Sequence, residues 1–310
     1  MHPTRLTVAD IRAAGALLAE AYPHRAHEPE RWDRPNDAHR WIVAAPDGSL
    51  AAYLALWRVQ AMQYRMDLVV GPRERGHGLG TGLLDFLIAS ARAAGAASLQ
   101  ARPYSEESRA LALLASREFR ETMRMTGLEL EDVSAVSLEP IARYEGQLAE
   151  RGLRVTTLAE DLSVNSDGWR KLRDVNEASR PGWPDPDPPP DATSGEEQSV
   201  EQFRAQAHDF HMIPEACFLA VDHERYVGYS ALALRDAARV RAGSGGTAVR
   251  PEYRGFGVAT ALKARCVRWA QEHGVRRLST SSGNPAMVRV NEKFGFRRTY
   301  VEVRLVRRPV

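Results

Sequence analysis

Hydrophobic residues recur at helical spacing in two long segments, one in each half of the chain. In the first half they are Leu79, Leu83, Phe86, Leu87 and Ala91. In the second half they are Val258, Leu262, Cys266, Trp269 and Ala270. Because this spacing follows the 3.6-residue period of an α-helix, each segment is predicted to be a helix with one apolar face.

Shorter hydrophobic patterns predict the remaining elements. Strand-like runs lie at 4–7, 41–44, 49–57, 64–70, 98–101 and 121–130 in the first half, and at 154–157, 217–221, 227–234, 240–249, 277–280 and 297–305 in the second. Further helices are predicted at 8–21, 106–116, 166–178, 200–208 and 285–293. Both halves therefore repeat the order β-α-(α)-β-β-β-α-β-α-β, which predicts an α/β fold in which each half has a mixed sheet with helices on both faces and its own last strand.

A glycine-rich turn joins a strand to a long helix in both halves. The turn at 249–259 and the turn at 70–81 both fit the pattern V-x-P-x-x-R-G-x-G-x-[AG]. Glycine lets backbone N–H groups approach a ligand closely, and a helix N-terminus favours anions, so each turn is a candidate cradle for a diphosphate. The alternative for one such turn alone is an ordinary strand-to-helix connection. Two copies favour a tandem architecture.

Composition narrows the possible functions. The chain has 310 residues, enough for two domains, and its net charge of +2 gives no electrostatic case for nucleic acid or an anionic membrane. Its two cysteines, Cys217 and Cys266, form neither a disulfide framework nor a metal site, and no metal is expected. Charges near the N-terminus exclude a signal-peptide core there. We expect a cytoplasmic protein, a monomer or a homodimer.

Both glycine turns resemble the R-x-x-G-x-[GA] acetyl-CoA motif of GCN5-related N-acetyltransferases. The resemblance covers nearly the whole chain and implies two tandem domains with splayed sheets, at 1–135 and 152–310, joined by a linker at 136–151. It implies that acetyl-CoA is the cosubstrate, and that the arginine of each loop either anchors the loop or contacts phosphate. The implied binding residues of the second domain are Val249, Arg254, Gly255, Phe256, Gly257, Val258, Ala259 and Asn284. A possible second site consists of Val70, Arg75, Gly76, His77, Gly78, Leu79, Gly80 and Thr81.

A second segment, 283–296, resembles the family's N-x-x-A-x-x-x-Y-x-x-x-G-F signature. In that signature the asparagine lies near pantetheine and the tyrosine near the sulfur. Asn291 stands at the tyrosine position, where it is predicted to donate a hydrogen bond to the sulfur; the alternative is a capping or packing role. A thiol with a pKa of ~8.5 can leave as thiolate near neutral pH, because each unit between its pKa and the pH costs only about 1.4 kcal/mol. Release of CoA is therefore possible without the tyrosine.

The first half lacks these polar residues. Aligning Phe119 with Phe296 places Leu114 on Asn291, and in the same alignment Glu107 and Glu118 fall on Asn284 and Gly295. The N-terminal domain is therefore predicted to be degenerate or non-catalytic, and the C-terminal domain to carry the chemistry. This asymmetry is similar to that of mycothiol synthase-like two-domain acetyltransferases.

The sequence defines the residues that bind and deprotonate the acceptor amine less clearly. Neutralising an alkyl ammonium of pKa ~10.4 near pH 7.5 costs about 4 kcal/mol, so a route for the proton is expected. No base is assigned; Asp222, His223, Asp236 and His211 qualify by residue type alone, and water relayed by serines such as Ser281 and Ser282 is equally suitable. The segment 181–191, with Trp183, Asp185 and Asp187, either forms an acceptor wall or is a disordered acidic loop.

The sequence thus predicts an acetyl-CoA-dependent N-acetyltransferase that acts on the amine of a small molecule by direct transfer in a ternary complex. The alternatives are a protein or peptide N-terminal acetyltransferase and a non-catalytic acyl-CoA-binding sensor.

Overall fold

The computed structural model describes residues 2–21, 38–60, 62–137, 139–180, 198–235 and 240–310. These residues divide into two compact units. Unit 1 comprises the described residues of Met1–Arg124 and Tyr300–Val310, and unit 2 those of Met125–Pro184 and Pro189–Thr299. The domain limits 1–135, 136–151 and 152–310 remain a prediction.

The described residues form helices and strands in the following bounds. The helices are α1 (Ile11–Ala21), α2 (Leu79–Ala93), α3 (Ser108–Ser116), α4 (Glu139–Ala149), α5 (Leu158–Leu162), α6 (Gly168–Ser179), α7 (Val200–Asp209), α8 (Val258–Glu272) and α9 (Pro285–Glu292). The strands are β1 (Thr4–Arg5), β2 (Ala38–Ala44), β3 (Leu50–Gln60), β4 (Gln63–Val70), β5 (Ser98–Ala101), β6 (Arg120–Leu130), β7 (Leu153–Thr157), β8 (Met212–Asp222), β9 (Arg225–Leu234), β10 (Arg241–Val249), β11 (Arg277–Ser282) and β12 (Arg297–Arg307).

Unit 1 contains a mixed sheet in the order β1-β2-β3-β4-β5-β12. Its β4–β5 pair is parallel, whereas β2–β3 and β3–β4 are antiparallel. Because side chains alternate across a strand, Leu54 and Leu56 of β3 pack with α2, while Tyr53 packs with α1 on the opposite face. The predicted mixed sheet with helices on both faces is confirmed.

Unit 2 contains a mixed sheet in the order β6-β11-β10-β9-β8-β7. Its β10–β11 pair is parallel and β9–β10 antiparallel. Strand β8 alternates in the same way: Phe218 and Ala220 share a core with α8, whereas Cys217 and Leu219 share one with α5 and α6. The sheet of unit 2 is therefore also covered on both faces.

The last strands of the two halves are exchanged. Strand β6, from the first half of the chain, pairs with β11 in unit 2, where Leu128 and Leu130 enter the core with α8. Strand β12 pairs antiparallel with β5 in unit 1, where Val303 and Leu305 enter the core with α2. The prediction that each of these strands completes the sheet of its own half is wrong. Both strands offer alternating apolar residues, and such a pattern specifies a buried face but not a partner.

Candidate functional site

The parallel strands of unit 2 separate after a short contact. Strands β10 and β11 pair from Arg241↔Arg277 to Gly243↔Ser279, and β10 then passes through a bulge between Ser244 and Gly246. Gly246 has φ +119°, and a Cβ there would lie 2.9 Å from the Tyr229 hydroxyl, so only glycine fits without displacement. Beyond the bulge, no strand in the described part of the chain pairs with the edge of β10 that faced β11. This is the splayed sheet that the sequence predicted.

The second glycine loop lies directly after this open edge. Gly255 and Gly257 both have φ +81°, and Gly257 is the N-cap of α8. Among the described residues, no hydrogen bond reaches the N–H groups of Gly255 to Ala259. A helix leaves its first N–H groups unpaired, and its dipole places partial positive charge at that end. The loop is therefore a cradle of backbone donors suited to a diphosphate.

Arg254 anchors this loop from behind. Its Nε donates to the carbonyl of Val249 at 3.1 Å, and a terminal nitrogen donates to the carbonyl of Ser179 at 2.7 Å. Ser179 is the last residue of α6, so one side chain joins the end of β10 to the end of a helix on the sheet's other face. Of the two roles that the sequence left open for this arginine, the structure shows the anchoring contacts.

Asn284 and Asn291 lie at the two ends of α9. Asn284 is the N-cap, and its side chain accepts from the N–H of Ala286 at 2.9 Å. Asn291 is 2% exposed; its Nδ2 donates to the carbonyl of Met287 at 2.8 Å, while its buried Oδ1 has no hydrogen-bond partner among the described residues. A buried unpaired acceptor costs free energy, about 1–3 kcal/mol. The sulfur-side role of Asn291 remains a prediction.

Lys263 of α8 is a buried cation that the sequence reading overlooked. It is 2% exposed, and among the described residues its side chain has no hydrogen bond or ion pair. Burial lowers the pKa of its ammonium, an effect that the nearby Cys266 thiol opposes. Counting from the N-cap glycines Gly257 and Gly78, the corresponding residue of α2 is Leu84, also buried. Aligning the two helices by sequence would have revealed this substitution.

The glycine loop of unit 1 has the same backbone conformation as that of unit 2. Gly76 and Gly78 have φ +89° and +81°, and Gly78 is the N-cap of α2. Arg75 donates from Nε to the carbonyl of Val70 at 3.0 Å, which repeats the first contact of Arg254. The N–H of Thr81, predicted to belong to this site, donates to the carbonyl of Gly78 at 3.1 Å. Strands β4 and β5 likewise separate after Arg65↔Gln100.

The helix α3 of unit 1 matches α9 in backbone but not in side chains. Its N-cap is Glu107, whose carboxylate accepts from the N–H of Tyr104 at 2.7 Å. Its buried Leu114 accepts, through its carbonyl, from the N–H of Phe119, as Asn291 does from Phe296. Glu118 has φ +63° where Gly295 has φ +82°. This geometry supports the alignment of the two halves.

Three of the four candidate bases lie in the described part of the chain. Asp222 accepts from the Tyr253 hydroxyl at 2.5 Å, which raises the tyrosine's pKa, and His223 beside it is 97% exposed. His211 has φ +53° in the turn before β8. Asp236 and the segment 181–191 lie outside the described residues. In the described part of the chain no cluster of His, Cys, Asp and Glu is suited to a metal.

The Tyr229 hydroxyl is a polar group that the sequence reading also missed, because it lies in an otherwise apolar strand. It donates to Oδ1 of Asn176 at 2.8 Å and lies beside the bulge of β10. Burial raises the pKa of Tyr229, so this hydroxyl keeps its proton at neutral pH.

Solved structures share this fold. A GCN5-related N-acetyltransferase from Sphaerobacter thermophilus is similar over 99% of this chain and 95% of its own, with 20% identity and a TM-score of 0.75. A tandem GNAT protein from the clavulanic acid biosynthesis pathway is similar over 99% of this chain and 98% of its own, with 17% identity and a TM-score of 0.69. The glucosamine N-acetyltransferase region of a fungal multi-domain GH3 β-N-acetylglucosaminidase matches 98% of this chain and 38% of that chain, with 12% identity and a TM-score of 0.74. At these identities the likeness shows the fold alone.

No curated protein matches the chain. In the described part of the chain, no helix is both long and apolar enough to cross a membrane.

Family membership rests on a comparison with family models. A family model described as "Acetyltransferase (GNAT) family" matches residues 10–119 and 172–296, which together make up most of the sequence. The chain therefore belongs to the acetyltransferase (GNAT) family and contains two such regions in tandem.

Proposed function

We propose that this protein transfers the acetyl group of acetyl-CoA to the amine of a small molecule, directly and in a ternary complex, with the chemistry in unit 2. Membership of the family makes the chain an acyl-CoA-dependent N-acetyltransferase in general. The acceptor, the direct route and the choice of unit are the proposed part. The observation that carries the proposal is the set of unpaired N–H groups from Gly255 to Ala259 beside the open edge of β10.

The cosubstrate supplies an activated acetyl thioester, and the residues of unit 2 fit it. The loop has open space beside it at Gly255, where an added Cβ meets nothing within 4 Å. Those amides would bind the diphosphate, and the unpaired edge of β10 after Gly243 would bind the amide groups of the pantetheine arm as an added strand does. Asn291 would donate from Nδ2 to the leaving sulfur.

Direct transfer fits the state of the two cysteines. In an acetyl-enzyme route, a thiolate of the protein would first attack the thioester. Cys217 and Cys266 are the only cysteines, both are fully buried, and burial raises the pKa of each thiol. Attack by the acceptor nitrogen on the thioester carbon, with loss of CoA thiolate and of one proton from nitrogen, then completes the reaction in one complex.

The polar residues of unit 2 support placing the chemistry there. Developing negative charge on sulfur is stabilised by a nearby donor, which Asn291 offers and Leu114 of unit 1 does not. The carboxylate of Glu107, which takes the place of Asn284, would repel that charge if it faced the sulfur.

The proposal is tested by an acceptor screen that measures thiol release from acetyl-CoA. The panel contains amino sugars, polyamines, amino acids and short peptides with free N-termini; amino sugars come first because one structural neighbour is named a glucosamine N-acetyltransferase. We expect release with at least one small amine, and intact mass spectrometry without acceptor should show no acetylated protein. Release with peptides only would favour the N-terminal acetyltransferase alternative. Tight CoA binding without release for any acceptor would favour the sensor.

A further inference from the structure

Helix α4 lies against the glycine loop of unit 2. Glu145 of α4 forms ion pairs with Arg265 at 2.6 Å and Arg268 at 3.6 Å, both on α8. Two residues later, Oε1 of Gln147 lies 3.8 Å from the position that a Cβ on Gly257 would occupy. Helix α4 is therefore fixed to α8, and its C-terminal end lies beside the loop.

The chain that leaves α4 places a guanidinium on the loop. The Arg151 Cζ lies 4.4 Å from the centre of the Phe256 ring. Phe256 stands between the two glycines of positive φ and is 42% exposed. An arginine stacked on an aromatic ring keeps its N–H donors at the guanidinium edge, free to bind in the plane of the group.

Among the described residues, the Arg151 side chain differs from the other arginines around the loop because no hydrogen-bond or ion-pair partner reaches it. Arg254 donates to the carbonyls of Val249 and Ser179, and Arg250 donates to the carbonyl of Tyr226 at 2.9 Å. Arg225 forms an ion pair with Glu252 at 3.1 Å. Within the described ranges, the Arg151 side chain has its ring contact with Phe256 and neither a hydrogen bond nor an ion pair, and the residue's one hydrogen bond is from its backbone N–H to the carbonyl of Leu148. Its donors are therefore available to a ligand.

We propose that Arg151, stacked on Phe256, binds a phosphoryl group of acyl-CoA outside the backbone cradle. Guanidinium binds phosphate through two parallel hydrogen bonds, and the aromatic support limits the entropy lost when those bonds form. The inference rests on the proposed acyl-CoA site of unit 2. It gives α4, which precedes the second family-matched region, a part in binding the cosubstrate. In unit 1 the residue at the position of Phe256 is His77.

The test is calorimetric titration of CoA into the full-length protein. Every variant also carries Gly78→Glu, a substitution that disables the loop of unit 1. We expect Arg151→Gln to weaken CoA binding by about ten-fold, as loss of a charge-assisted hydrogen bond predicts. Phe256→Ala keeps the charge and should cause a smaller loss, as should Arg151→Lys. The matched control is Arg154→Gln, an exposed arginine of β7, which should bind as the background protein does.

Titration of 3′-dephospho-CoA identifies the phosphoryl group. If the effect of Arg151→Gln disappears with this ligand, Arg151 binds the 3′-phosphate; if it persists, Arg151 binds the diphosphate. Unchanged affinity of Arg151→Gln for both ligands would overturn the inference while leaving the proposed function intact. If the Gly78→Glu background itself failed to bind CoA although folded by circular dichroism, both the inference and the proposed cradle in unit 2 would fall.

Discussion

In unit 1 and in unit 2, the glycine loop has both glycines at positive φ and an arginine that donates to the carbonyl of the last strand residue. The loops differ in the side chains around them. Leu84 and Leu114 of unit 1 correspond to Lys263 and Asn291 of unit 2, and all four are buried. Binding through backbone N–H groups needs only the shared conformation, whereas stabilising a leaving group needs side chains. Both units therefore have the backbone conformation that suits anion binding, whereas at these two positions unit 2 has polar side chains and unit 1 has leucines.

The polar residues of unit 2 reduce its stability. A buried ammonium without an ion-pair partner and a buried amide oxygen without a donor both destabilise a fold. Two leucines fill the same places in unit 1, so the fold does not require polar groups there. Polar groups kept at a cost are typical of functional sites.

The largest effect is expected for a carboxylate in the cradle of unit 2. Gly257→Glu should reduce acetyl transfer at least ~100-fold, because the side chain would occupy the diphosphate position and repel it. Gly78→Glu should change the rate by no more than a few-fold. Both glycines have φ +81°, so both substitutions introduce the same backbone strain. Thiol release measured at saturating acceptor gives the result.

Controls separate charge from strain in this pair. Gly257→Ala and Gly78→Ala introduce the strain without the carboxylate, and thermal unfolding confirms that each variant is folded. Loss of activity in a folded Gly78→Glu protein, with Gly257→Glu active, would place the chemistry in unit 1.

Lys263→Leu, which installs the residue of unit 1, should stabilise the protein by about 2 kcal/mol at pH 7. The pKa of Lys263 is lowered in the folded state, so between the folded pKa and the unfolded value the unfolded chain binds more protons. Stability of the unsubstituted protein therefore rises with pH in this window, and the advantage of Lys263→Leu should shrink towards pH 10. Urea unfolding at pH 7 and 9.5 measures both quantities. An equal advantage at both pH values would contradict the titration of Lys263.

Asn291→Leu should lower kcat about ten-fold and leave the KM for acetyl-CoA nearly unchanged, because the amide acts on the leaving sulfur and not on the phosphates. The substitution removes the unpaired Oδ1, so stability should not fall by more than about 1 kcal/mol despite the larger side chain. The reverse change, Leu114→Asn, should destabilise the protein by about 2 kcal/mol without altering kcat. A full kcat in Asn291→Leu would leave this residue with only a packing role.

Local features of the fold were predictable from sequence, because they depend on residues close together in the chain. The helical period predicted α2 and α8, and the glycine pattern predicted a strand-to-helix turn at Gly255 and Gly257. The strand exchange was not predictable in this way. Strands β6 and β12 have eleven residues each and similar apolar alternation, and partner choice depends on contacts distant in sequence.

Only part of the candidate site was predictable from sequence, again because local features could be predicted and distant contacts could not. The loop residues could be identified from one short motif. The contact between Arg151 and Phe256 could not, because it joins residues far apart in the sequence and depends on the order of helices and strands, which no local pattern encodes. The sequence around Lys263 is typical of a helix and does not show that this position is buried. Lys263 is buried because α8 is enclosed on nearly all sides. Comparison with Leu84 was the sequence signal that could have found it.

The smallest effect is expected at the turn after the helix that carries Leu114 or Asn291. Glu118 adopts φ +63° where Gly295 adopts φ +82°, so unit 1 holds a non-glycine residue in the left-handed region. That conformation costs a non-glycine residue about 1–2 kcal/mol, whereas glycine costs about 0.5–1 kcal/mol in backbone entropy. The Glu118 carboxylate accepts from Arg307 at 2.8 Å, and this ion pair contributes little because the glutamate is 78% exposed. Glu118→Gly should therefore stabilise the protein by less than about 1 kcal/mol, and Gly295→Ala should destabilise it by about 1 kcal/mol.

Thermal unfolding at low and high salt separates the backbone effect, which is independent of salt, from the ion pair, which is screened. A loss of stability in Glu118→Gly at high salt would show that the left-handed turn of unit 1 is not strained, and that the two turns differ in sequence without differing in energy.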